Sequence, residues 1–140
     1  MSDASNGVTG LVPTKLTTKE SGDAGEARAL AHLLGQGLTL VERNYRVARG
    51  PHARGGEVDL ILRQRDGTLV FVEVRKRRNA SFGGAAASVG ATKRRSLVLA
   101  AQHFLNRFKV LPPCRFDVVT IDGEGDAERV EWLRGAFDTS

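Results

Sequence analysis

Two runs of alternating apolar residues follow each other in the middle of this chain, and each contains an acid. Asp59 lies in the first run, over residues 57–64, and Glu73 lies in the second, over residues 68–77. Such alternation predicts β-strands with a buried face. A carboxylate in a buried strand is costly unless it is paired or holds a metal ion. Two carboxylates aimed at one point would form a site for a divalent cation.

The turn between these runs decides whether the two acids meet. Residues 65–67, Arg-Asp-Gly, are a hairpin signal. A three-residue loop with Gly67 in the left-handed conformation places Asp59 directly opposite Glu73. A two-residue loop would put the carboxylates on opposite faces of the sheet. We predict the three-residue loop, which makes a site; the alternative for each acid is a salt bridge with a neighbouring arginine.

Positive charge is concentrated around Glu73. The 140-residue chain has a formal net charge of +5, and residues 71–110 contain nine basic residues with Glu73 as their only acid. A cationic block around one carboxylate is typical of proteins that bind a phosphate backbone. Lys93 and Arg94 also precede an apolar helical stripe, where positive charge opposes the helix dipole and a bound phosphate would explain it. The alternative is a basic face that keeps the protein soluble.

Periodicity and chain breakers predict a single domain over 20–133, with a disordered leader at 1–19 and a tail at 134–140. A strand, a helix and a further strand predict a parallel crossover. The fold class is therefore α/β, an αβββαβ core whose mixed sheet is flanked by two helices. The predicted elements are a helix from Ser21 or Asp23 to 35–37, strands over 38–47, 57–64 and 68–77, a helix over 91–108, a strand over 114–121 and a short edge strand over 130–133.

The first helix presents an acid close to its buried face. The apolar residues that we predict to face the core share helical spacing, and they are Ala27, Leu30, Ala31 and Leu34. Glu26 lies at the margin of this stripe, so it is either a site residue or a first-turn acid that complements the helix dipole. Asp117, in the strand after the second helix, is expected to support that strand rather than bind a metal.

Composition limits the compartment and the kinds of site. Cys114 is the one cysteine, so an internal disulfide and a cysteine-based zinc cluster are excluded, and a reducing cytoplasm is the expected location. No apolar run approaches the roughly 18 residues of a membrane span, and the start of the chain lacks the pattern of a signal peptide. We therefore expect no membrane partner.

Several motifs in one order resemble a known family. They are Gly25-Glu26, Arg-Asn-Tyr-Arg at 43–46, Gly-Glu-Val-Asp-Leu-Ile at 56–61, Phe-Val-Glu-Val-Arg at 71–75, Lys93, and Arg-Phe-Asp-Val-Val at 115–119. Over residues 20–133 the chain resembles the YraN family (UPF0102). That group is bacterial and endonuclease-like, and it is similar to archaeal Holliday-junction resolvases and to the restriction-endonuclease-like fold.

The resemblance implies metal-dependent phosphodiester hydrolysis on nucleic acid, with DNA as the expected partner. Asp59 and Glu73 match the acids that bind Mg²⁺ or Mn²⁺, and Glu26 matches the acid of the first helix in junction resolvases. A homodimer is expected where the substrate is two-fold symmetric. The basic residues that we assign to nucleic-acid binding are Arg46, Lys76, Arg77, Arg78, Lys93 and Arg94.

One position departs from the family pattern. The family has Lys two residues after the second acid, and this chain has Arg75. Lys76 follows, but it points to the other face of the strand and does not simply substitute. Arg stays charged, so Arg75 can hold a phosphate but cannot act as a base. Three hypotheses stay open: a metal-dependent DNA nuclease that includes Arg75 among its catalytic residues, a non-catalytic nucleic-acid-binding protein, and an interaction protein that docks an acidic partner.

Overall fold

The computed structural model describes residues 18–48, 55–77 and 89–137. The elements of that part of the chain follow the predicted order, and their bounds are α1 Thr18–Gly35, β1 Thr39–Val47, β2 Gly56–Arg63, β3 Leu69–Arg77, α2 Ala91–Leu105, β4 Cys114–Asp122, a 3₁₀ turn at Gly125–Ala127 and β5 Arg129–Phe137. Residues 1–17 of the predicted leader and residues 138–140 of the predicted tail lie outside the described residues.

The strands form one mixed sheet in the order β1-β2-β3-β4-β5. Neighbours are antiparallel except for β3 and β4, which are parallel. α2 connects these two strands, because a parallel pair needs a connection long enough to return the chain to the same end of the sheet. The predicted crossover and the predicted α/β architecture are both confirmed. No helix in the described part of the chain is long and apolar enough to span a membrane.

Each face of the sheet is covered by one helix, which makes two cores. On one face α2 packs on the aromatic side chains Tyr45, Phe71 and Phe116 through residues that include Leu97 and Phe104. On the other face α1 packs on the aliphatic side chains of β2, β3 and β4. Because the central strands are buried on both faces, they contain nearly continuous apolar runs. The acids in these strands therefore stand out against an apolar background.

The buried stripe of α1 differs from the prediction. Ala29 and Leu33 are fully buried, whereas Leu34 is 45% exposed, and Ala27 and Ala31 are exposed as well. The stripe predicted from Ala27, Leu30, Ala31 and Leu34 was wrong except for Leu30, which packs against this core. Two overlapping apolar stripes satisfy helical spacing in this segment, and only contact with the sheet selects between them. The observed stripe includes the side of α1 on which Glu26 lies.

The turn between β2 and β3 has the predicted three-residue form. The Gln64 amide donates to the Thr68 carbonyl at 2.9 Å, and Gly67 has a φ of 95°. Leu60 pairs with Val72, the last pair between the two strands. The predicted loop and its register are confirmed as far as this pair, and Asp59 adjoins it directly on β2.

The C-terminal strand is longer than the sequence indicated. β5 continues to Phe137, four residues into the predicted tail. Its pairing with β4 is irregular between Phe116 and Val118, and Gly135 has a φ of 57° at this bulge. The Phe137 ring stacks on Phe116 with 5.0 Å between centroids. This packing holds the end of β5 on the sheet beyond a glycine that, in the sequence, resembled the end of a strand.

Candidate metal centre

β2 and β3 separate at Asp59. Their pairing ends at Leu60 and Val72, and one residue further on β2 the Asp59 Oδ2 atom accepts a hydrogen bond from the Val74 amide at 2.8 Å. Val58 and Ile61 both belong to the core under α2, so the strict alternation of β2 breaks at Asp59. The carboxylate of Asp59 is therefore held toward β3 by a main-chain donor.

Glu73 is the buried member of the acid pair. Its residue is 5% exposed, and burial followed by the negative charge of Asp59 raises the pKa of Glu73 to about 8. Lys93 opposes this shift, because its Nζ atom lies 3.4 Å from Glu73 Oε2. The two predicted acids are thus close enough to repel each other, and one ammonium group from α2 partly compensates.

Glu26 approaches Asp59 from α1. Burial, and then the negative charge of Asp59, raise the pKa of Glu26 above its usual value, while a hydrogen bond from Asn44 and the charge of Arg43 oppose the shift. Its Oε1 atom is buried without a hydrogen-bond partner and lies 3.8 Å from Arg43 Nη2. Asn44 has a φ of 51°, a conformation that Asn tolerates better than most residues. The three acids predicted for the site are therefore electrostatically coupled through Asp59.

The donor set fits a hard divalent cation. Buried charges are normally paired or bound to a metal, and carboxylate oxygens are the ligands of Mg²⁺ and Mn²⁺. Within the described ranges, no group of three or more His, Cys, Asp or Glu side chains is arranged to hold a metal ion. Asp59 and Glu73 would therefore supply two ligands. Mg²⁺ commonly has one or two protein carboxylates and several waters or substrate phosphates.

The two basic residues that follow Glu73 lie on opposite faces of β3. Arg75 is half-buried and pairs with Thr120 of β4; by alternation it shares the face of Glu73. The stem of Lys76 passes under α1, because a Cβ atom built on Gly25 would lie 3.4 Å from Lys76 Cδ. The prediction that Lys76 points to the other face of β3 from Arg75 is confirmed.

Most of the other predicted nucleic-acid-binding residues make contacts within the protein. Arg46 pairs with Glu57 at 3.2 Å on the surface, Arg77 pairs with Asp122 at 3.0 Å, and Arg94 Nε donates to the Val89 carbonyl at 3.0 Å. Arg78 lies outside the described residues. Of this group, Lys93 contacts the acid pair, and the nucleic-acid role of all of them stays a prediction.

Asp117 is a structural acid, as the sequence indicated. Its side chain is fully buried and accepts hydrogen bonds from Arg115 Nε at 2.9 Å and 3.1 Å, from Trp132 Nε1 at 2.8 Å and from the Gly135 amide at 2.9 Å. These donors close the bulge between β4 and β5. Asp117 is therefore saturated with protein donors and does not belong to the acid pair.

The sequence did not predict how closely α2 packs on β2 next to the site. The Glu57 amide donates to Ser96 Oγ at 3.1 Å. A Cβ atom on Gly56 would come within 2.6 Å of the Ser96 carbonyl oxygen and 2.7 Å of the Ala100 nitrogen. Glycine at position 56 thus lets α2 lie directly on β2, with Lys93 one turn before Ser96. The only signal in the sequence was a lysine unfavourably placed at the start of a helix.

Comparison with known proteins identifies the family. The model described as "Uncharacterised protein family UPF0102" matches residues 25–121, which is more than half of the chain. The chain belongs to the UPF0102 family. The matched range of this UPF0102 chain includes Glu26, Asp59, Glu73 and Lys93.

Curated relatives agree over nearly the whole length of this UPF0102 chain. The UPF0102 protein of Methylibium petroleiphilum is 63% identical over 125 residues, which cover 89% of this chain and 99% of the relative. A UPF0102 protein of Acidovorax sp. is 57% identical over 133 residues and 95% of each chain. One from Cupriavidus metallidurans is 54% identical over 126 residues, 90% of this chain and 86% of the relative.

Proposed function

We propose that this UPF0102 protein binds DNA and hydrolyses its phosphodiester bonds with a Mg²⁺ or Mn²⁺ ion held by Asp59 and Glu73. The observation that carries the proposal is the meeting of these two acids where β2 and β3 separate. The fold places a buried carboxylate beside a second carboxylate there, an arrangement that is unfavourable without a cation. Stability of the fold alone does not explain it.

The side chains around the pair have complementary roles in this proposal. Asp59, oriented by the Val74 amide, and Glu73 hold the ion, which would activate water and neutralise the charge that develops on the phosphate. Lys93 and Arg75 supply positive charge next to the acids, and Glu26 adds a third carboxylate from α1. Arg75 can bind a phosphate oxygen but cannot accept a proton.

DNA is the proposed substrate because of the charge around the acids. Residues 71–110 contain nine basic residues, and Arg46 has 72% of its side chain exposed. Binding through such residues weakens steeply as salt concentration rises. The proposal includes a cytoplasmic location, which fits the single cysteine, and a homodimer where the DNA is two-fold symmetric.

Cleavage of branched and linear DNA in the presence of Mn²⁺ tests this function. We compare the wild-type protein with Asp59→Asn, which removes a ligand charge, and with Glu131→Gln, which removes one exposed charge from β5. The Asp59→Asn variant should lose cleavage by about 10³-fold or more, since metal activation contributes several kcal/mol. Glu131→Gln should match the wild type. Equal cleavage by Asp59→Asn and wild type would contradict the proposal.

Arg75 supports a second candidate function. If a lysine on β3 is required for chemistry, the chain is a DNA-binding protein on a nuclease-like fold. The Arg75→Lys variant separates the two candidates in the same assay. An inactive wild type combined with an active Arg75→Lys variant favours the non-catalytic protein. An active wild type excludes it. Absence of salt-dependent DNA binding would contradict both and favour an acidic protein partner.

A further inference from the structure

The contact between Lys93 and Glu73 joins an exposed helix position to a buried acid. The Lys93 side chain is 44% exposed and that of Glu73 is 7% exposed, with 3.4 Å between Nζ and Oε2. The long stem of lysine allows its ammonium to reach inward from the surface of α2. One end of the contact is thus open to solvent and to any substrate that approaches the acids.

Helix stability does not account for a lysine at this position. Lys93 lies in the first turn of α2, which has no acidic residue and no side-chain N-cap. A cation there opposes the helix dipole. The position is nevertheless held firmly, because the Glu57 amide binds Ser96 one turn later and Gly56 allows α2 to approach β2. The fold thus delivers an ammonium group to the acid pair against the preference of the helix.

Arg75 occupies the strand position at which the resemblance described above implies lysine. Its guanidinium is planar and delocalised, whereas an ammonium is a compact point charge with three donors that can rotate. A compact cation can contact a carboxylate, a water and a phosphate oxygen together. Among the described residues near the acid pair, Lys93 is the side chain with this chemistry.

We infer that Lys93 supplies the ammonium group of this site from α2, in the role that lysine on the third strand has in the family pattern. This inference rests on the proposed function. In the metal-free protein Lys93 neutralises part of the charge of Glu73. If Asp59 and Glu73 held a divalent ion, the Lys93 donors would be available to hold a water and a phosphate oxygen. Lys93 is then a catalytic residue rather than one contact among many to the DNA backbone.

This role predicts opposite changes in metal affinity and in turnover. The ammonium repels a divalent ion that approaches Glu73, so its removal should tighten Mn²⁺ binding by about fivefold or more. Turnover should fall by about 10²-fold, because a preorganised donor to the reacting phosphate is lost.

Two variants and a rescue test the inference on the full chain. Lys93→Gln removes the ammonium, and Arg95→Gln removes an exposed charge from the same helix turn as a matched control. The double variant Lys93→Gln/Arg75→Lys moves the ammonium from α2 to β3. We measure Mn²⁺ affinity by calorimetry at pH 8, single-turnover cleavage at saturating DNA, DNA affinity, and thermal unfolding to confirm that each variant is folded.

We expect Lys93→Gln to bind Mn²⁺ more tightly and to cleave about 10²-fold more slowly, with Arg95→Gln within about twofold of the wild type in both. The double variant should cleave at least about tenfold faster than Lys93→Gln. Weaker DNA binding with unchanged Mn²⁺ affinity and unchanged turnover would overturn the inference, since Lys93 would then be a backbone contact only. A double variant as slow as Lys93→Gln would also overturn it.

Failure of the proposed function has a different signature. If the wild type and Arg75→Lys both leave every DNA intact, hydrolysis is excluded, and the rate comparison is replaced by the metal titration. Tighter Mn²⁺ binding by Lys93→Gln, but not by Arg95→Gln, would still support an ammonium placed at a metal site. Unchanged Mn²⁺ affinity would overturn the inference in that case too.

Discussion

Asp117 and Glu73 are buried acids on neighbouring strands of one sheet, and their surroundings are opposite. Asp117 accepts hydrogen bonds from Arg115, Trp132 and the Gly135 amide. Glu73 faces the like charge of Asp59 and a single ammonium, that of Lys93. Burial alone does not distinguish the two acids, since both side chains are at most 7% exposed. The number and the kind of their partners do.

The contrast separates an acid that holds the fold together from one to which we assign a ligand-binding role in the proposed function. Asp117 has donors supplied by β4 and β5 themselves, so its charge is compensated as soon as the protein folds. Glu73 is compensated only in part, by Lys93, and in the proposed function a divalent cation supplies the rest. Residues with such incomplete compensation concentrate at functional sites.

The largest effect is expected at Asp117. Asp117→Asn replaces a charged acceptor with an amide whose NH₂ group faces existing donors, so Arg115 and Trp132 lose a partner in a buried place. Removal of one partner from a buried charged network costs about 3–5 kcal/mol. Urea denaturation should show this loss in the free energy of unfolding. A loss below about 1 kcal/mol would mean that the bulge between β4 and β5 does not depend on this acid.

The contribution of Glu73 to the free energy of unfolding should fall as pH rises, whereas that of a carboxylate with a full set of hydrogen-bond donors rises. Because its pKa is raised to about 8 in the folded protein, the native state holds a proton that the unfolded chain has already released above about pH 4.5. The stabilisation is complete below the unfolded pKa and is lost as pH rises from about 4.5 to about 8. We expect the free energy of unfolding to fall progressively over this window without metal.

Glu73→Gln is the control for this pH dependence. The amide cannot ionise, so the decline between pH 4.5 and 8 should be smaller in the variant than in the wild type, as measured by urea denaturation at a series of pH values. At pH 8 without metal the variant should be the more stable protein. Mn²⁺ should stabilise the wild type and have little effect on the variant. Equal pH profiles for the two proteins would show that the pKa of Glu73 is not raised in the folded protein.

Much of this site could be predicted from the sequence because it depends on residues that are close together in the chain. Alternation located Asp59 and Glu73 in strands, and the Gly67 turn determined the register that brings them together. The αβββαβ order followed from the same periodicities and from the length of the crossover helix. These features depend on neighbours close in the chain, where turn geometry and side-chain period leave few solutions.

The features that the sequence did not predict depend on contacts between distant elements. The prediction of the buried stripe of α1 was wrong because two apolar stripes had equal spacing in the sequence. The close approach of Gly25 to Lys76 of β3 is a tertiary contact. The length of β5 depends on Phe137 stacking on Phe116. The pairing of Lys93 with Glu73 depends on the approach of α2 to Gly56. Secondary-structure patterns in the sequence do not predict these contacts.

The smallest effect on stability is expected for Trp132, one of the donors to Asp117. Trp132→Phe replaces the indole by a smaller aromatic ring and removes the indole N–H, which donates to Asp117 Oδ2 at 2.8 Å. Arg115 and the Gly135 amide still bind the carboxylate, so the variant should lose only about 1–2 kcal/mol of unfolding free energy. Urea denaturation measures that loss, and calorimetry should show Mn²⁺ binding unchanged from the wild type. The two acids are independent if both results hold. Weakened Mn²⁺ binding in Trp132→Phe would instead mean that the structural acid on β4 helps to position Glu73 on the neighbouring strand.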